Sequence, residues 1–133
     1  MSKKRFFLIT ALTIFMGLII VQVSHARTIN NFNITVGSFG GTQYGGGVAS
    51  KATANIDGVI NASGGVGADR TLDARVERVS DSSGGTYRSF TSYERIRLPN
   101  TIGRNSETRL RLRNGTFATV RVQASGTWSP DHQ

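Results

Sequence analysis

One pattern limits this chain more than any other: apolar residues recur at every second position. Leu72, Ala74 and Val76 alternate with Asp73, Arg75 and Glu77, and Leu110 and Leu112 alternate with Arg109, Arg111 and Arg113. The same holds for Phe32, Ile34 and Val36, for Ala52, Ala54 and Ile56, for Ile96 and Leu98, and for Val120, Val122 and Ala124. Successive side chains of an extended strand point to opposite faces, so each run has one dry face and one wet face. No window after residue 26 sustains the 3.6-residue period of a helix. Glycine pairs and triplets separate the runs: Gly40-Gly41, Gly45-Gly46-Gly47, Gly64-Gly65 and Gly84-Gly85. Glycine supplies positive φ at no steric cost, so these read as turns. The pattern predicts an all-β fold, a single small antiparallel β-sandwich of six to eight strands.

The first 26 residues do not share this pattern. Lys3, Lys4 and Arg5 are followed by an almost wholly apolar stretch, Phe6 to Val21, and then by Ser24-His25-Ala26. A basic cluster, an apolar core and a small-x-small end make a secretory signal peptide. The apolar stretch is short for a full membrane span, which needs about 20 residues. The expected division is therefore residues 1–26 as signal peptide, cut between Ala26 and Arg27, and residues 27–133 as a secreted sandwich domain. No stable transmembrane span is expected after cleavage.

Cysteine is absent from all 133 residues. That excludes a disulfide scaffold, a cysteine nucleophile and any thiolate metal site. Beyond residue 26 the only histidine is His132, next to the chain end, so a Ser-His-Asp arrangement has no base and zinc has too few ligands. The carboxylates Asp73 and Glu77 share a strand face with Arg75, which reads as a solvated face of mixed charge. Gly64-Gly65-Val66-Gly67-Ala68-Asp69 matches the opening of a calcium-binding β-roll repeat. Such repeats work as stacked copies, and a single copy reads as a loop. No P-loop is present. The expectation is a non-enzymatic protein with no cofactor and no metal.

Charge carries more information. The chain holds 16 Lys and Arg against 8 Asp and Glu, a formal charge of +8. Residues 27–87 sum to zero. The excess of the mature chain lies in residues 88–133, which hold Arg88, Arg95, Arg97, Arg104, Arg109, Arg111, Arg113 and Arg121 against Glu94, Glu107 and Asp131. Arg109, Arg111 and Arg113 must share one strand face, spaced about 7 Å apart. If Arg95 and Arg97 pair beside them, and Arg121 follows, a basic sheet face results. Guanidinium groups fit phosphate and carboxylate oxygens in bidentate geometry. These six arginines are therefore the candidate anion-binding residues. The candidate partners are an anionic cell-wall polymer, lipid head groups or another protein. Nucleic acid is not expected of an exported chain without a recognised nucleic-acid module.

One local expectation concerns Asn114-Gly115, a strong hairpin signal. A two-residue turn there would put Val120 and Val122 on the arginine face, so a three- or five-residue connection, or a bulge at Gly115, is predicted. The lone Trp128, before Pro130, is expected to cover one end of a thin core.

The opening Asn31-Phe32-Asn33-Ile34-Thr35-Val36 and the closing segment Val120 to Asp131, with its Ser125-Gly126-Thr127-Trp128, resemble a family of small uncharacterised secreted proteins of Gram-positive bacteria. The resemblance implies export and no established activity. Some members are found near bacteriocin genes, which gives a second functional reading: a bacteriocin-like antibacterial protein or its accessory factor. It carries over no functional residues.

Overall fold

A computed structural model describes residues 27–64 and 70–132. Residues 1–26, expected above to be a signal peptide cut after Ala26, and residues 65–69 of the glycine motif lie outside the described residues. Eight strands follow in order: β1 Asn30–Val36, β2 Thr42–Ser50, β3 Gly58–Gly64, β4 Leu72–Arg78, β5 Arg88–Phe90, β6 Arg95–Leu98, β7 Glu107–Arg113 and β8 Val122–Ser129. They form two antiparallel four-stranded sheets, β1-β8-β3-β6 and β2-β7-β4-β5. This is the double-sheet order of a jelly roll. The all-β sandwich is as expected, and no helix among the described residues is long and apolar enough to cross a membrane.

The alternation explains the layering. Leu72, Ala74 and Val76 of β4 and Leu110 and Leu112 of β7 point inward from one sheet. Phe32 and Val36 of β1, Ile60 and Ala62 of β3, Leu98 of β6 and Val122, Ala124 and Trp128 of β8 meet them from the other. Four core positions are alanines (49, 62, 74 and 124), so the layer between the sheets is thin. Trp128, 1 % exposed, is its largest side chain.

Three local expectations are corrected. Asn114-Gly115 does not close a hairpin, because β7 lies between β2 and β4 while β8 lies between β1 and β3. Residues 114–121 carry the chain from one sheet to the other. The register conflict disappears, since each strand turns its apolar residues inward from its own sheet. The Ala52–Ile56 run is a loop rather than a strand. Its amides find partners elsewhere: Ala52 N and Thr53 N donate to the Asp131 carboxylate, and Asn55 N to Ile102 O. Gly45-Gly46-Gly47 is not a turn but the bulged middle of β2.

That bulge seats the tryptophan. Gly46 has φ +75°, and a Cβ there would lie 2.3 Å from Trp128 Nε1. The same nitrogen donates to Gly46 O at 3.2 Å. Gly46→Ala is expected to cost about 2–4 kcal/mol, combining left-handed strain with a displaced core side chain. The checks are the denaturation midpoint and a red shift of Trp128 emission.

Candidate functional site

The outer face of β2-β7-β4-β5 holds the arginine row. In β7, Arg113 is opposite Thr42 of β2 and Asp73 of β4, Arg111 is opposite Tyr44 and Arg75, and Arg109 is opposite Val48 and Glu77. Cross-strand neighbours share a face in an antiparallel pair, so parity and register together place four arginines and two carboxylates in one layer.

Glu77 is the centre of that layer, with its side chain fully buried. Arg109 Nε donates to Glu77 Oε1 at 2.8 Å, and Arg75 Nε donates to Oε2 at 2.9 Å. Arg111 Nη1 lies 3.7 Å from the same Oε2. The expected solvated mixed-charge face is therefore corrected at Glu77. Three arginines cover the carboxylate and exclude water, and their charge makes its burial tolerable. Asp73 takes Arg113 Nη2 at 3.0 Å and the Ser89 hydroxyl at 2.7 Å.

Two tyrosines hold the guanidinium planes. Arg109 stacks 3.8 Å from the Tyr44 ring centroid and donates to a hydroxyl on each side, Tyr44 at 3.0 Å and Ser82 at 2.7 Å. Arg113 stacks 3.8 Å from Tyr87, with Arg75 at 4.6 Å from the same ring. Stacking suits the planar guanidinium and leaves its edge free to bind oxygen. Arg111 Nε is buried and makes no hydrogen bond.

The six candidate arginines do not form one ridge. Arg109, Arg111 and Arg113 sit together as expected. Arg95 and Arg97 are on β6, whose partner is β3, so they lie exposed on an edge of the other sheet. Arg121 is exposed in the connection just before β8. Parity assigns a face to each residue but not a sheet, which is why the expected pairing of β6 beside β7 fails. Arg97 instead shares an open cleft with Arg88, Ser89, Asp57, Ile96 and Pro99.

A second charged feature, unread in the sequence, closes the opposite end of the sandwich. Lys51 is fully buried, 3.2 Å from Asp131 Oδ1, and its ammonium also donates to the carbonyls of Ile56 and Pro130. Burial pushes the Lys51 pKa below the ordinary lysine value, and the hydrogen bond and charge of Asp131 pull part of it back. His132 is held beside it through its backbone N, which donates to Asp57 O at 2.9 Å. At the surface, the Arg78 guanidinium and the Ser83 hydroxyl hold the Asp81 carboxyl below its usual range.

Among the described residues no group of three His, Cys, Asp or Glu side chains could hold a metal ion. No family model and no curated protein matches the chain. A solved structure described as the crystal structure of PirA is similar at 12% sequence identity and a TM-score of 0.46, over 81% of this chain and 98% of that chain.

Proposed function

We propose that this chain is an exported, non-enzymatic protein that binds an anionic surface of the cell envelope through its arginines. The observation that carries the reading is the imbalance of spent and unspent charge. Arg75, Arg78, Arg109, Arg111 and Arg113 are committed to carboxylates. Arg27, Arg70, Arg88, Arg95, Arg97, Arg104 and Arg121 make no ion pair among the described residues, and only Asp57, Glu94 and Glu107 are left unpaired against them there. Phosphate-rich polymers and lipid head groups are the anions such a surface meets outside a Gram-positive cell, and guanidinium groups grip phosphate oxygens in pairs.

Salt tests this directly. Retention on isolated cell walls or on anionic vesicles should fall steeply between about 50 and 500 mM NaCl, because exposed charges are screened over that range. The triple variant Arg95→Gln, Arg97→Gln, Arg121→Gln should lose several-fold in retention at low salt with an unchanged denaturation midpoint. Retention indifferent to salt overturns the reading.

A further inference from the structure

Among the described residues, the strand registers gather three connections at one end of the sandwich. Val36 ends β1 opposite Val122, where β8 begins, and Thr42 begins β2 opposite Arg113, where β7 ends. Arg113 is also opposite Asp73 near the start of β4, Leu72 is opposite Phe90 at the end of β5, and Asn61 of β3 is opposite Arg95 at the start of β6. Connections 37–41, 91–94 and 114–121 therefore share this end, with Arg70 and Thr71 just before β4.

Most of the large apolar side chains that the described residues expose are found here. Phe117 is 92% exposed, Tyr93 82% and Phe39 68%, with Val120 beside them at 42%. Leaving several aromatic rings in water at one pole is unfavourable, and such patches mark contact sites. Two of the rings are also held in a costly backbone conformation, Phe39 at φ 54° and Tyr93 at φ 62°.

The tips are not slack. Phe39 N donates to Ala118 O at 2.7 Å and Gly40 N to Gly115 O at 2.8 Å, which lace connection 37–41 to connection 114–121. The buried Asn114 amide donates to Gly37 O at 3.0 Å and to Val120 O at 2.9 Å. The rings are thus presented on a braced support. Arg70, Arg95 and Arg121, which make no ion pair among the described residues, flank the same end. Among the described residues the carboxylates of this end are Asp73, already taken by Arg113, and Glu94, which accepts from Thr91 N.

We infer that this end is a wedge that seats in the head-group region of an anionic bilayer, Phe39, Tyr93 and Phe117 entering the apolar boundary while the arginines engage lipid phosphates. The inference rests on the proposed anionic target and names which anionic surface it is. Projecting rings ringed by arginines match the interface, where apolar bodies sink and cations meet negative lipid; two weak signals together anchor what neither holds alone. A soluble polyanion satisfies the arginines but gives Phe117 no apolar medium.

The test uses the full chain carrying Phe117→Trp, whose indole reports on the tip itself; attachment through residues 6–21 alone would leave its emission unmoved. Trp128 is buried and supplies a constant background. Phe117 packs against nothing that holds the core, so the variant should keep the parent denaturation midpoint. Vesicles of phosphatidylglycerol mixed with phosphatidylcholine should shift the emission to the blue, and bromine-labelled acyl chains should quench it. Adding Phe39→Ser and Tyr93→Ser should raise the lipid concentration at half-shift about tenfold or more. Binding to anionic vesicles with unmoved emission overturns the wedge and leaves the charge-driven reading standing. An equal shift with pure phosphatidylcholine overturns the part given to the arginines. A shift with soluble wall polymer and none with vesicles assigns the end to the polymer and overturns the bilayer. No retention on either at low salt overturns the proposed function as well.

Discussion

Lys51→Met is expected to cost about 3–5 kcal/mol, the scale for breaking a buried ion pair from one side. A domain of this size has roughly 5–15 kcal/mol in all, so the loss takes a large share of it. The reason is the number of groups abandoned. Asp131 loses its buried partner, the Pro130 carbonyl loses its side-chain donor, and the Ile56 carbonyl is left with the Asn100 side-chain amide alone. Asp131→Asn should be milder, because an amide oxygen still accepts from Ala52 N or Thr53 N. Urea denaturation measures both, with an unchanged slope showing that stability alone has moved. The pH dependence has a definite sign. The folded pKa of Lys51 lies below the unfolded one, so between the two the unfolded chain binds more protons. This residue's contribution to stability therefore rises as pH climbs from the folded value toward the ordinary lysine value. Lys51→Met should remove that rise, and an alkaline slope identical to the parent's would contradict the buried ammonium.

The second large effect belongs to Glu77→Ala. Three guanidinium groups lose their shared acceptor and are left facing one another. The cost should be about 2–3 kcal/mol, less than for a fully buried pair, because these arginine side chains keep 20–26% of their surface in water. The variant should also respond to anions. Arg75, Arg109 and Arg111 would then frame a vacated carboxylate position that sulfate or phosphate fits, and binding the folded state alone raises stability. Millimolar sulfate should raise the melting temperature of Glu77→Ala more than that of the parent, at equal ionic strength in chloride. An equal response of both chains would mean that the three arginines swing out to solvent once the carboxylate is gone.

Parity made much of the fold legible. β1, β4, β6, β7 and β8 all announce themselves because each has one wet and one dry face. β2 was hidden by its glycines, which bulge around Trp128 instead of turning the chain. β3 was hidden by the unbroken run Val59-Ile60, and β5 by having only three residues. Sheet membership was not legible at all. Asn114-Gly115 looks like a hairpin locally, yet the packing of two apolar faces against each other sends β7 and β8 to opposite sheets. The same limit governed the site. That Arg109, Arg111 and Arg113 share a face follows from spacing, but the carboxylate beneath them depends on which strand lies alongside. Lys51 stood at the edge of a run that imitates a strand, and only its distant partner Asp131 explains why the chain turns inward there.

The burial of Lys51 has a practical corollary. It is the only lysine between residues 27 and 133, so the folded sandwich offers acylating reagents no side-chain amine. Acetylation within this stretch becomes a clock for opening of the domain, running at the rate at which the end closed by Asp131 comes apart.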